Sequence, residues 1–299
     1  MAKVIGCIGT AHAPQLLMPP EKWQDLPDRV QNPGPERPEL LKELTLEAKQ
    51  AKFKRCLAAM ELLRQKLDEW APDAFILVGD DQRENILEDN TPPFTIYVGA
   101  EVYATLHFRY FGESPNAQKK KYRVHSALAK SLLNGLMETG FDPAWSRKAR
   151  IEAGLGHAFG RVLHFLMPER SYSIVPVMVN TYYPPAPTAK RCLDFGKALR
   201  EIIKNSNDAE KVVVLASGGL SHTKIEEDLD HRFIEALKCC DTSYLANMPS
   251  SVLVEGTSEL RNWIITAGVA SKGITMIDYV PCYRTLKGVG CAMGFGYWN

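Results

Sequence analysis

Short apolar runs alternate with amphipathic stretches along this chain, the pattern that builds an α/β sheet. Lys3 to Ile8 and Ala74 to Val78 are short and apolar, and Val212 to Ala216 is β-branched-rich and uncharged, so each reads as a buried strand. Between the first two, Leu41, Leu44, Ala48, Ala51, Leu57, Met60, Leu63 and Leu67 recur at helical spacing, predicting a long amphipathic helix over Leu40 to Trp70 that packs on the sheet. Further helices are predicted over Val124 to Thr139, Ala189 to Asn205, Asp228 to Asn247 and Gly256 to Ala270. Ser173 to Asn180 reads as a strand, and the tail from Met276 as strand and turn. No fixed-period repeat or composition break divides the chain. The expectation is an α/β fold: a single domain over 1–299, with a central mixed sheet flanked by helices and the active site at strand C-terminal ends. The segment 19–38 carries six prolines (Pro19, Pro20, Pro27, Pro33, Pro35 and Pro38), which excludes a regular helix and suggests a lid-like loop.

Composition narrows the partners. A length of 299 residues allows a substantial core, and a formal net charge of +1 carries no polyanion-binding signature, so neither nucleic acid nor an anionic membrane is expected. Met1-Ala2-Lys3 leads straight into a strand without a signal-peptide core, and no apolar run is long enough to span a bilayer, so a cytoplasmic protein is expected, with a homo-oligomer as its assembly. The seven cysteines are scattered and contain no C-x-x-C pair, which favours reduced thiols.

The candidate chemistry sits where the strands end. Ser217-Gly218-Gly219-Leu220-Ser221-His222 delivers an imidazole just past a buried strand, with two glycines that let backbone approach a ligand. His12 leaves the first strand in Gly9-Thr10-Ala11-His12-Ala13-Pro14, and the third strand exits into Gly79-Asp80-Asp81-Gln82-Arg83-Glu84-Asn85. Glu259 lies in the first turn of a predicted helix that Thr257 or Ser258 could cap. Each has an ordinary alternative: a satisfied histidine for His12, a helix-dipole partner for Glu259, a strand-end cap acting through Thr223 for His222. Their joint occurrence favours one convergent site for a small molecule. His107, within a strand-like stretch Tyr103 to Phe111, and His164 and His231 are read as structural. Lys119-Lys120-Lys121 is read as a solvated loop, and Tyr182 and Tyr183 either line a pocket or pack over the sheet.

Taken in order, Thr10-Ala11-His12-Ala13-Pro14, Gly156-His157-Ala158-Phe159-Gly160, Val177 to Tyr183, Ser217 to His222, Gly256 to Trp263 and Val280 to Arg284 resemble the class III extradiol ring-cleavage dioxygenases, of the type of the protocatechuate 4,5-dioxygenase catalytic (β) subunit. The resemblance implies that His12 and Glu259 bind a non-haem Fe(II), that His222 is the acid/base residue, and that His157 stands beside a catecholic acid of protocatechuate, gallate or methylgallate type, cleaved with O2. Such chemistry needs open metal positions for both ring oxygens and O2, and a base of near-neutral pKa to move a phenolic proton. The sequence departs from the family at one point: where an Asp-His pair is expected, this chain has Asp81-Gln82. Gln82 is the replacement ligand in register. The alternatives are Asp81 turned inward, or a metal absent or held by His125 or His157, with Asp80, Arg83, Glu84 and Asn85 as hydrogen-bonding neighbours or a solvated turn. A metal-dependent hydrolase, with His12 and Glu259 activating water, and a non-catalytic binding protein with a degenerate iron site are the rival functions.

Overall fold

In the computed structural model, residues 1–28, 30, 34–106 and 119–299 are described; the predicted strand over Tyr103 to Phe111 lies partly, and His107 wholly, outside them. Eleven strands occur among the described residues: β1 (Lys3–Thr10), β2 (Ala74–Asp80), β3 (Phe94–Tyr97), β4 (Glu101–Ala104), β5 (Lys120–Arg123), β6 (Ala144–Ser146), β7 (Ser173–Val179), β8 (Lys211–Ser217), β9 (His222–Lys224), β10 (Thr275–Tyr283) and β11 (Val289–Trp298). The helices are α1 (Leu46–Trp70), α2 (Ser126–Glu138), α3 (His157–Leu166), α4 (Ala189–Asn205), α5 (Glu227–Lys238), α6 (Thr242–Ala246) and α7 (Leu260–Ala270). The main sheet runs β10-β11-β1-β8-β2-β7-β3-β6, with β9 added on β11. Its centre, β1-β8-β2-β7, is parallel, and β11 and β3 join it antiparallel, so the sheet is mixed as expected.

The period-2 alternation of the central strands sorts their side chains onto two cores. Ile76, Val78, Val212, Val214, Val175 and Val177 face one layer with Leu132, Leu199 and Trp263 of α2, α4 and α7. Phe75, Leu77, Val213 and Leu215 face the other, with Met60 and Leu63 of α1 and Phe159 and Val162 of α3. Burial on both faces explains why these strands read as continuous apolar runs.

Four predicted elements differ in detail: the helix predicted over Gly256 to Ala270 divides into a 3-10 turn, Glu255–Thr257, and α7, which begins at Leu260. The long helix begins at Leu46, capped by Thr45, whose hydroxyl accepts from the Ala48 amide at 3.2 Å; Pro38–Leu44 is a separate 3-10 segment. The predicted 228–247 helix breaks into α5 and α6, because Cys240 turns to φ 54° and Asp241 caps the Tyr244 amide at 2.9 Å. The lysine run is not a loop: Lys120 and Lys121 begin β5, where Lys121 pairs with Glu101 of β4 at 2.8 Å, a cross-strand ion pair that accommodates the charge.

Candidate metal centre and active site

Parallel pairing brings the strand exits together. Thr10 and Ser217 lie side by side at the ends of β1 and β8, and β2 runs two residues beyond its pairing with β8, ending at Asp80. His12 follows β1 by two residues, with its backbone carbonyl held by buried Arg161 at 3.0 Å. Glu259 arrives from the opposite direction at the N-terminus of α7. That helix grips the β8 loop: Asn262 donates to the Ser217 carbonyl at 2.8 Å and Trp263 to the Gly218 carbonyl at 2.7 Å. Gly218 (φ 113°) and Gly219 (φ 71°) are required here, since a Cβ on Gly218 would lie 2.2 Å from Glu259 Oε2. The room so made lets the Gly219 amide donate to Oε2 at 2.9 Å, which leaves Oε1 facing inward.

The end of β8 orients the His12 ring. The Ser217 hydroxyl gives its proton to the Ala158 carbonyl, so it accepts from His12 Nδ1 at 3.0 Å. That network assigns the proton to Nδ1 and leaves the Nε2 lone pair directed inward, 3.6 Å from Glu259 Oε1. One carboxylate oxygen of Asp80 completes the group: donor atoms of His12, Asp80 and Glu259 all lie within 4.8 Å of one another, and all three residues are buried. Gln82 reaches the same point, its Nε2 donating to Asp80 Oδ2 at 3.0 Å and to Glu259 Oε1 at 3.3 Å. His222 Nε2 is 3.4 Å from the same Glu259 oxygen.

Two carboxylates so placed in a buried site resist being ionised together. Burial and then repulsion from Glu259 push Asp80 up to about 8. Burial alone would raise Glu259 too, but His222 and His12 outweigh it and hold that carboxylate at about 2. Burial opposes charge on His12; Glu259 and Asp80 prevail and raise its pKa. With a buried oxygen, Asp80 Oδ1, lacking any hydrogen-bond partner, this donor set fits a divalent metal ion.

The rest of the 80–85 turn is built, not solvated. Asp81 does not face the site: its carboxylate accepts from the amides of Glu84, Asn85 and Ile86, each at 3.0 Å, and so closes the turn. Glu84 Oε1 accepts from His157 twice, from the amide at 3.1 Å and from Nδ1 at 2.9 Å. Burial outweighs that contact and depresses His157 to about 4, so its imidazole is neutral and Nε2 is an acceptor. His157 opens α3 and stands edge-on to His12, ring centroids 4.9 Å apart. His125 is elsewhere, capping α2 through the Leu128 amide, and is not a ligand. His222 does not cap the following helix; it lies in β9, paired with Cys291 of β11. Neither Thr257 nor Ser258, the two residues expected to cap this helix, does so: Glu259 itself is the N-cap residue of α7, and Thr257 closes the preceding 3-10 turn with Val252 and Val254.

A cavity of about 260 Å³ opens over these groups, lined by His12, Gln82, His157, Tyr182, Tyr183, His222 and Glu259. Both tyrosines therefore line the pocket. Leu26 and Pro27 of the Pro-rich segment form part of its wall. Residues 29 and 31–33 of the lid-like segment lie outside the described residues; the part before them is pinned, with Trp23 buried edge-on against Phe53 and Arg284 donating to the Leu26 carbonyl.

A family model described as the catalytic LigB subunit of aromatic ring-opening dioxygenase matches residues 38–294. The chain belongs to this family. Among similar proteins, a 2,3-dihydroxyphenylpropionate/2,3-dihydroxicinnamic acid 1,2-dioxygenase of Pseudomonas putida is 29% identical over 160 residues, covering 53% of this chain and 46% of its own length. A gallate dioxygenase of Pseudomonas putida is 30% identical over 165 residues, covering 50% of this chain and 47% of its own. The matched region is thus about half the length of these curated relatives. An uncharacterized Escherichia coli K12 protein of known structure aligns over 82% of this chain and 92% of its own, at 14% identity and a TM-score of 0.49. No helix among the described residues is long and apolar enough to cross a membrane. In this ring-opening dioxygenase family member, the fold brings His12, Gln82, His157, His222 and Glu259 to one cavity. Sequence reasoning missed the inward place of Asp80 and the role of Ser217. A signal existed for the second, a hydroxyl at the end of the strand that pairs with the one leading to His12.

Proposed function

We propose that this chain is the catalytic part of a metal-dependent extradiol dioxygenase that opens the ring of a catecholic acid with O2, and that 1–299 acts as one catalytic domain. The observation that carries the reading is that donors of His12, Asp80 and Glu259 lie within 4.8 Å of one another, and that His12 and Glu259 line a cavity that His222 and His157 also face. The curated relatives whose names specify dihydroxylated aromatic acids and gallate support the substrate class. In this reading His12 and Glu259 hold Fe(II), and the Asp80-Asp81-Gln82 turn supplies the remaining protein donor, with Gln82 the residue in register. An ion held by these residues would supply the Lewis-acid and redox chemistry that ring opening with O2 requires.

The chain's own residues do the rest. His222 Nε2 takes a proton from one phenolic hydroxyl and returns it after ring opening; its Nδ1 is steadied by the Leu220 carbonyl at 3.4 Å. Neutral His157 accepts a hydrogen bond from the substrate at Nε2, because Glu84 fixes its proton on Nδ1. Arg83, 4.3 Å over the Tyr183 ring at the cavity wall and paired with Glu88 at 2.6 Å, offers a cation to an aromatic carboxylate. The Pro-rich wall at Leu26 and Pro27 limits ring substituents and excludes water. Anaerobic loading with Fe(II), followed by O2 uptake on a panel of catecholic acids and simple esters, tests the reading. Uptake coupled to loss of the catechol is expected; hydrolysis of an ester with no O2 uptake would contradict it.

A further inference from the structure

We propose that Asp80, not Gln82, is the third protein ligand, so that the metal is held by one imidazole and two carboxylates. The proposal rests on the reading above, that this cavity holds a metal, and assigns the donor that reading leaves open.

Asp80 satisfies the conditions for a ligand. It is 1% exposed, it is the last residue of β2 and is fixed there by pairing with Val179, and one of its oxygens lies within 4.8 Å of the His12 and Glu259 donors. A strand end holds a ligand more rigidly than the turn beyond it. Its Oδ1 has no hydrogen-bond partner among the described residues, an arrangement that costs free energy unless something cationic completes it. Glu259 offers one oxygen in the same way, since the Gly219 amide occupies the other.

Gln82 is placed to do something else. Its amide nitrogen sits between the two acids, 3.0 Å from Asp80 Oδ2 and 3.3 Å from Glu259 Oε1. Rotating the amide to offer its oxygen would set that oxygen against two carboxylates, so the contacts assign the NH2 inward. An NH2 group donates and does not ligate. Gln82 therefore bridges the carboxylates and holds them apart at the spacing a cation requires. Where the family resemblance expects a neutral imidazole, this chain has moved the donor two residues back, onto a carboxylate. The set carries two negative charges and one neutral nitrogen, and so neutralises a divalent ion in full. Oxygen-rich sets of this kind suit hard ions, and Mn(II) should bind alongside Fe(II), with softer Zn(II) and Cu(II) gaining less than at a histidine-rich site.

The test uses Mn(II) binding to the full chain, measured by titration calorimetry and by electron paramagnetic resonance. Asp80→Asn, which keeps shape and removes charge, should weaken Mn(II) by more than about 100-fold, beyond the 10- to 100-fold typical of groups that only hydrogen-bond to ligands. Gln82→Ala should cost at least tenfold less than Asp80→Asn. A smaller gap between the two, or a larger loss in Gln82→Ala, overturns the assignment. Should Asp80→Asn fail to fold, Gln82→Ala decides the matter: Mn(II) affinity within about tenfold of the parent is expected, and a loss of more than about 100-fold overturns the assignment. Pulsed resonance on the Mn(II)-loaded parent tests for a further histidine ligand. One coordinated imidazole nitrogen is expected, abolished in His12→Ala and retained in Gln82→Ala; a second imidazole overturns the proposal. These readouts are independent of turnover. Mn(II) held in the expected pattern with no O2 uptake by the Fe(II)-loaded protein would leave the ligand assignment standing and remove the dioxygenase reading.

Discussion

Ser217→Ala is the perturbation that best separates a prepared metal ligand from an ordinary buried histidine. The Ser217 hydroxyl accepts from His12 Nδ1 at 3.0 Å and donates to the Ala158 carbonyl, and both partners are shut away from water. Alanine deletes both bonds and fills the space without strain. A buried donor left unmade costs roughly 1–3 kcal/mol, which for a chain of this size lowers the melting temperature by about 2 to 5 °C. The larger effect should fall on the metal. With no acceptor at Nδ1 the imidazole is free to change tautomer and to turn, and loss of such an orienting partner typically weakens binding about 10- to 100-fold. Calorimetric titration of metal-free protein with Mn(II), beside a thermal melt of the same sample, measures both. A variant that melts several degrees lower yet binds Mn(II) within twofold of the parent would refute the view that Ser217 sets the ligand form of His12.

Other outcomes follow from the same geometry. His222→Phe should retain the metal and lose about 10²- to 10⁴-fold in kcat, as for a positioned acid/base group; loss of metal would make it a ligand. Gly218→Ala should abolish metal binding, because its Cβ would meet Glu259 Oε2 at 2.2 Å from a backbone at φ 113°; intact binding would place Glu259 outside the site. In the metal-free protein Asp80 ionises near 8 where the unfolded carboxyl ionises near 3.8, so the folded chain keeps a proton that the unfolded chain has released, and stability falls as pH rises from about 4 to about 8. Metal removes that cost by holding the ionised form, so the melting-temperature gain on loading should be larger at pH 8 than at pH 5; an equal gain would contradict the paired-carboxylate account. Trp23→Ala should raise KM or broaden the range of accepted ring substituents with little change in kcat, since Trp23 anchors the wall that carries Leu26 and Pro27; unchanged kinetics would reduce that segment to surface structure.

The central strands were legible because both their faces are buried: Ala74 to Val78 and Val212 to Ala216 carry no polar residue to blur the pattern. Helix α4 was legible to the residue, since Thr188 caps it and Ser206 ends it. The short strands β3 to β6 were not, as three or four residues hold too little periodicity, and in β5 the lysines mask a strand whose charge is answered across the ladder by Glu101. At the site, His12 and His222 announced themselves by following apolar runs. Asp80 did not, because it reads as the first polar residue of a turn when it is the last of a strand. Only the folded chain, in which the β2–β7 pairing runs through Asp80 and Val179, shows that it is buried beside His12 and Glu259 and not set in a solvated turn. Asp81 and Gln82 look equivalent in sequence, and their fates diverge on backbone geometry: Asp81 is consumed by three amides of its own turn, while Gln82 is released toward Glu259.

Mass spectrometry of the product formed under ¹⁸O2 tests the central claim most directly. Protein loaded anaerobically with Fe(II) and mixed with a catecholic acid should yield a ring-opened product carrying both atoms of the labelled gas, and the yield should collapse in His12→Ala and Glu259→Ala. A metal-replete protein that leaves every such acid intact, or releases a product free of ¹⁸O, would contradict it.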